Sequence, residues 1–244
     1  GTERRYRVGG VVIFSDAEIE DQVEPLMLAG ASGFTRVGGR LGFIPGTYRA
    51  PTQELSVLIG DGFEFTRLKT GRELPTQVRA TYTSAARGYE TAELAPWDIP
   101  GAQAEDGGIP AVTDMRFDMV TSPTQAMRLR KIGGWRARRQ KALTGVAPPS
   151  AFRMVAGATV TVALPAPFTA LGGVYEVQGL HPAASLVGDD EGVALRCPVQ
   201  LLELGPEPYT WDAEAEEEEI VEEAFDATRT GIGLPGPLSA TTGP

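Results

Sequence analysis

Ser122-Pro123-Thr124-Gln125-Ala126-Met127-Arg128-Leu129-Arg130-Lys131-Ile132-Gly133-Gly134-Trp135-Arg136-Ala137-Arg138-Arg139-Gln140-Lys141-Ala142-Leu143 is the clearest helix in this chain, and most of what surrounds it reads as short strands. Ser122 is a good N-cap, because its oxygen can accept from an amide of the first turn. Pro123 suits the first helical position, where no N–H is needed, and Gln125 completes a box-like pattern. Ala126, Leu129, Ile132 or Gly133, and Arg136-Ala137 form an apolar or small stripe with basic flanks. Gly133-Gly134 weakens the helix by roughly 1 kcal/mol per glycine relative to alanine, so a bend is expected there. Gly145 and Pro148-Pro149 stop it.

Upstream, residues 6–14 read as a strand, and Ser15-Asp16-Ala17-Glu18 fits a capping box for a helix to about Ala29. Ile19, Val23, Leu26 and Met27 share one face of that helix, and Pro25 inside it predicts a kink or break. Phe34-Thr35-Arg36-Val37, Gly38-Gly39 and Arg40-Leu41-Gly42-Phe43-Ile44-Pro45 form a hairpin signal, the glycines supplying positive φ. Residues 64–68 and 77–83 alternate as half-buried strands, and residues 96–113 are a Pro/Gly/acid-rich loop. Downstream, residues 159–164, 173–180 and 192–204 read as strands, the last two separated by the turn Gly188-Asp189-Asp190-Glu191-Gly192. From Trp211 on, an acidic run and a Gly/Pro-rich end read as a flexible tail.

The fold class expected is therefore α+β and β-rich, built of several small domains. They are a small α+β unit over 1–55, strands with a long Pro/Gly loop over 56–122, the basic helix over 123–145, a small antiparallel β-barrel or sandwich over 146–211, and an acidic tail over 212–244. The 244 residues suffice for one large or two to three small units with real cores. Gly (30) and Pro (19) make up about a fifth of the chain, against an average of about 12%, which favours turns and short strands over helical bundles. No stretch approaches the roughly 20 apolar residues of a membrane span, and the first residues have no signal-peptide core. A soluble protein, not exported by the usual route, is expected. The lone Cys197 rules out an intrachain disulfide and four-cysteine zinc sites, and reads as a core thiol.

Charge is segregated within a net −10. Between Met119 and Tyr175 there is no acid, whereas Asp212 to Asp226 holds nine acids and no base. Such a chain makes charge-matched contacts, within itself or with neighbours. The candidate interface residues are Arg128, Lys131, Arg136, Arg138 and Arg139 on the helix and Glu216, Glu217, Glu218 and Glu219 in the acidic run.

Reaction chemistry finds little support. The single histidine, His181, follows a strand in a turn context, and one histidine cannot build a histidine-rich metal site. Gly231-Ile232-Gly233-Leu234-Pro235-Gly236 spells a dinucleotide fingerprint but has prolines where the helix should start. Asp114 with Asp118, and Asp189 with Asp190, are carboxylate pairs with no sign of burial. Glu216–Glu219 lacks the alternating ligand spacing of a calcium loop. The basic helix has one aromatic, Trp135, and the chain is acidic, so specific nucleic-acid binding is not expected. No catalytic residue, cofactor or metal is assigned.

The order of elements resembles the tip attachment proteins of lambda-like siphophage tails and the hub proteins of gene transfer agents. Four stretches carry the resemblance. One is Arg5-Tyr6-Arg7-Val8-Gly9-Gly10-Val11-Val12 followed by a helix and Gly38-Gly39-Arg40…Pro45-Gly46-Thr47-Tyr48-Arg49-Ala50-Pro51. Another is Phe63-Glu64-Phe65-Thr66-Arg67 with Gly71-Arg72-Glu73-Leu74-Pro75-Thr76-Gln77-Val78-Arg79-Ala80-Thr81-Tyr82, where Gln77 stands in place of the family's common Asn. The others are Val120-Thr121-Ser122 opening the basic helix, and Tyr209-Thr210-Trp211-Asp212. The likeness covers about residues 4–213; the chain is expected to begin inside the family's usual length and to be without its downstream fibronectin-like and fibre regions. It implies a non-enzymatic homotrimer at the distal end of the tail in the virion, a pseudo-hexameric ring that closes the tube and takes part in DNA delivery. The implied partners are the distal tail protein, other tail tip proteins and the tape measure protein. On this reading the basic helix would meet the acidic run of a neighbouring subunit. Two other readings stay open: a carbohydrate- or receptor-binding module of a virion, favoured by exposed aromatic clusters, and a tail-associated hydrolase, favoured by a deep pocket with convergent carboxylates.

Overall fold

The computed structural model describes residues 4–12, 19–37, 39–67, 74–186 and 193–218. The expected capping box at Ser15–Glu18, the turn at Gly188–Gly192 and the tail from Glu219 on lie outside the described residues. Strands dominate, as the composition requires. In chain order they are β1 (Gly33–Val37), β2 (Arg40–Ile44), β3 (Gln53–Leu55), β4 (Ile59–Thr66), β5 (Gln77–Ser84), β6 (Glu90–Glu93), β7 (Trp97–Asp98), β8 (Val112–Phe117), β9 (Ala142–Ala147), β10 (Thr159–Val162), β11 (Gly173–Leu180), β12 (Ala183–Leu186) and β13 (Val193–Glu203). The helices are α1 (Ile19–Leu28), the one-turn α2 (Ala102–Glu105), α3 (Pro123–Arg138) and the one-turn α4 (Ala213–Glu216). The fold is α+β and strand-rich, as the sequence implies.

One sheet runs β3-β10-β11-β13-β9-β4, with β12 on the outer end of β13. All its pairings are antiparallel except β3 on β10. Its two edge strands are joined by residues 56–58 alone. That link spans at most about 14 Å, whereas the edges of a flat six-stranded sheet lie about 24 Å apart. The sheet must therefore curl, and its concave side holds Leu55, Leu143, Val160, Val162, Tyr175, Val177, Cys197, Val199 and Leu201. Each such residue contributes roughly 1.5–3 kcal/mol when fully buried.

Between β4 and β9, which are neighbours in that sheet and start their pairing at Thr66↔Ala142, the chain makes a long excursion. The excursion contains the second sheet. There β5 is central, with β6 and β7 along one side and β8 parallel on the other. Its alternation is regular: Val78, Ala80, Tyr82 and Ser84 are buried. Helix α3 packs on that face through Ala126, Met127 and Leu129.

The helix stops at Arg138, short of the expected Leu143, because residues 142–147 pair with both β13 and β4 and Leu143 is buried in the barrel core. The N-cap is as expected: the Ser122 hydroxyl accepts from the Gln125 amide at 3.4 Å, with Pro123 at the first position. Gly133-Gly134 lies within one continuous helix, and these glycines are there for space. A Cβ on Gly134 would meet Val78 at 2.8 Å and Trp97 at 3.1 Å, and one on Gly133 would meet the end of Met115 at 2.6 Å. Helix α1 likewise runs through Pro25. The strand expected over 6–14 is, over its described part, residues 6–12, an arm without a ladder. It lies so close to the β8–α3 connection that a Cβ on Gly9 would touch Thr121, and Gly9 donates to the Met119 carbonyl at 2.9 Å. The hairpin of β1 and β2 forms as expected, with Gly39 at φ +78° in its turn.

Two consequences are measurable by urea unfolding. Gly→Ala usually stabilises a helix by about 1 kcal/mol. At Gly134 the sign reverses, because Val78, Trp97 and Ile99 have no room, and a loss of about 1–3 kcal/mol is expected. At Gly133 the flexible Met115 end can swing away, and Gly133→Ala should be neutral or stabilising. The second concerns Tyr175, whose hydroxyl donates to the Leu171 carbonyl at 2.8 Å. Burial, reinforced by the Glu203 charge, pushes its pKa up to about 12. The raised value means that the neutral phenol favours the fold. That contribution is complete below about pH 10 and is lost as pH climbs from about 10 to about 12. Stability should fall across that window, and less steeply in Tyr175→Phe.

Candidate functional site

Helix α3 collects the functional side chains the sequence singles out. Its first turn places Gln125, fully buried, where the side-chain Nε2 donates to the carbonyls of Arg7 (2.9 Å) and Ala29 (2.8 Å) and Oε1 accepts from the Arg7 amide (3.0 Å). One amide thus ties the N-terminal arm and the end of α1 to α3. Charge-free, it satisfies the buried Ala29 carbonyl and both backbone groups of Arg7.

The cations follow along the helix and reach several separate elements. Arg130, 2% exposed, donates to the Ala95 carbonyl and to Glu218 Oε1 at 2.7 Å. Lys131 Nζ bonds both oxygens of Glu216 at 2.6 and 2.7 Å and the Thr210 carbonyl at 2.8 Å. Arg128 and Lys131 both stand near the Trp211 ring, at 6.0 and 5.9 Å from its centroid. Arg136 reaches Glu176 on β11 at 2.9 Å and the Tyr209 hydroxyl at 3.1 Å. Arg138, buried, bonds Asp106 at 2.6 Å, Glu105 at 2.9 Å and the Pro75 carbonyl at 3.1 Å. Arg139 meets Glu207 at 2.5 Å, and Lys141 meets Glu203 at 3.0 Å. For Arg138 the Asp106 hydrogen bond outweighs burial and raises the pKa further. Burial works against the Arg136 charge, but Glu176 and Tyr209 together overcome it. Both guanidiniums stay charged.

The structure therefore brings Lys131 together with Glu216, while Arg136, Arg138 and Arg139 find acids outside the acidic run. Glu217 is exposed at the end of α4, and Glu219 lies outside the described residues. Sequence reasoning missed Gln125, Arg130, Glu176, Asp106 and Glu207 as members of this set. The acid content of the 96–113 loop was the one signal available for Asp106.

A cleft of about 540 Å³ lies between the β1–β2 hairpin, the β8–α3 face and β11, with Arg136 and Glu176 in its wall. Elsewhere, groups able to do chemistry are scattered. His181 is exposed and its amide bonds the Pro198 carbonyl at 3.0 Å. Cys197 is buried, which pushes its thiol pKa up. Asp118 is exposed and bonds Arg116 at 2.6 Å, whereas Asp114, exposed on β8, belongs to the cleft wall with Glu176. Asp189, Asp190 and the Gly231–Gly236 string lie outside the described residues. Among the described residues no group of three or more His, Cys, Asp or Glu could hold a metal, and no helix is long and apolar enough to cross a membrane.

The sequence matches the family described as "Putative phage tail protein" over residues 18–178, and the chain belongs to that family, as a structural component of a virion tail. A comparison with curated proteins gave no match. Among solved structures, a chain from the virion of a native gene transfer agent particle is 20% identical with a TM-score of 0.56, covering 85% of this chain and 42% of that one. The 43 kDa tail protein of prophage MuSo2 from Shewanella oneidensis is 12% identical, TM-score 0.47, covering 82% and 56%. The tail protein from Neisseria meningitidis MC58 is 14% identical, TM-score 0.44, covering 70% and 50%. The chain thus spans between two fifths and just over half of the length of these structures.

Arg138→Met should destabilise the fold by about 2–4 kcal/mol, because it leaves the mostly buried Asp106 without its cation. Adding Asp106→Asn should recover part of that loss. A double-mutant cycle in urea would show coupling on the order of 1–2 kcal/mol if the pair acts as drawn.

Proposed function

We propose that this tail component is a hub module, three copies of which close a ring at the distal end of the tail tube. The observation that carries the reading is the likeness, over 85% of this chain, to a chain built into a gene transfer agent particle. The fold adds arithmetic support: each chain presents two strand-rich units, so three chains present six, which matches a six-fold tube. The ring's neighbours would be the distal tail protein, other tail tip proteins and the tape measure protein, with DNA passing through its lumen. In such a ring Arg136 and Arg139, paired with Glu176 and Glu207, act from inside each subunit by tying α3 to the curled sheet and the loop after it, while Arg138 braces the second-sheet unit itself through Asp106 and Lys131 holds Glu216.

One observation favours a second reading. Phe34 and Phe43 form an exposed aromatic pair, which suits a carbohydrate- or receptor-binding module. Light scattering separates the two. The hub reading expects a mass three times the 25.9 kDa of one chain, a three-fold ring in negative stain, and labelled protein at the distal tip of tails. A stable monomer that binds glycans would overturn it.

A further inference from the structure

The β1–β2 hairpin has its apolar side outward. Register sets Phe34 directly opposite Phe43, and Leu41 two residues on from Phe43 falls on the same face. These side chains are 52%, 66% and 74% exposed, and the two rings lie 5.2 Å apart. The opposite face is the seated one: Ile44 stands so close over Gly157 of the barrel unit that a Cβ there would collide with it. A soluble ribbon normally shows the reverse arrangement, and a two-stranded ribbon is marginal by itself. The hairpin makes a sheet of two strands only, so among the described residues no further strand pairs with its outer edges.

Charge says what covers it. Residues 25–53 hold Arg36, Arg40 and Arg49 and no acid, while the whole chain carries −10. The rest of the molecule is therefore more acidic than the total. Two hairpins placed face to face across a two-fold axis would bring like charges together. A head-to-tail contact brings the basic apolar hairpin of one copy against the acidic body of the next, and only head-to-tail contacts close a three-membered ring.

We propose that the hairpin is a docking element covered by an acidic face of a second copy of this chain. The inference rests on the hub reading above and names the surface it uses. The pairing is partly electrostatic, so raising salt from about 0.05 to about 0.5 M should weaken it.

The test uses the full chain. Wild type and the variant Phe34→Thr/Leu41→Thr/Phe43→Thr are compared by light scattering over a concentration series, with circular dichroism to confirm the fold. Because the three residues are exposed, thermal melting of the monomeric variant should match that of wild-type monomer. Assembly should weaken at least about 100-fold. The single variant Leu41→Asp, at the most exposed of the three positions and repelled by an acidic partner face, gives the same reading should the triple variant fail to fold. Leu41→Cys adds an accessible thiol while Cys197 stays buried, and a photo-crosslinker attached there should join to acid-bearing segments outside residues 25–53. Variants that assemble like wild type overturn the hairpin inference and leave the hub reading standing. A wild type that stays monomeric overturns both. A disulfide-linked Leu41→Cys dimer reveals a two-fold contact and overturns the head-to-tail arrangement. Loss of glycan binding with unchanged mass assigns the patch to sugar instead and also overturns the inference.

Discussion

The cations of α3 hold the structure together at the points where its elements meet. Arg130 joins the β6–β7 connection to the last described residues, Lys131 fixes the chain beyond β13, Arg136 reaches the curled sheet, and Arg138 closes on the α2 loop. Exposed ion pairs contribute little, because solvent screens them and ordering two long side chains costs entropy. These pairs differ. Arg130 and Arg138 are almost wholly buried, and each donates to a backbone carbonyl as well as to carboxylates. A buried guanidinium stripped of its acids would be far costlier than the pair is favourable.

A neutral constraint sits beside this electrostatic one. Gly133 and Gly134 let α3 sink onto β5, β7 and β8, and Gln125 fastens the arm and α1 to its first turn. Helix propensity is given up for contact, since a glycine in a helix interior costs about 1 kcal/mol and close packing returns more.

These features were unequally legible in the amino-acid order. The start of α3 was readable, because Ser122, Pro123 and Gln125 act within one turn. Its end was not, because what stops it is the pairing of residues 142–147 with β13 and β4, contacts far apart in sequence. Gly133-Gly134 looked like weakness because a sequence does not show the wall it approaches. The strands β5, β10, β11 and β13 stood out by alternation or apolar run, but alternation alone does not show β4 joining β9 some 80 residues downstream or β3 joining β10 some 107 residues downstream. Charge segregation pointed to matched contacts in general terms only. It could not say which acid each arginine takes, and Glu176, Asp106 and Glu207 lie in three separate segments.

The excursion between β4 and β9 has a mechanical meaning. Its two ends leave the curled sheet side by side, at Thr66 and Ala142, so the covalent tether is as narrow as one pair of strands, about 5 Å. A lobe of some seventy residues on so thin a stalk would swivel. Arg136–Glu176, Arg139–Glu207 and Lys141–Glu203 act as stays around that stalk, braced on β11, the loop after β13 and β13 itself. Torque applied to the lobe is thereby passed in part to the curled sheet through these ion pairs, with the Arg5–Tyr209 bond and the seat of Ile44 over Gly157 sharing the load.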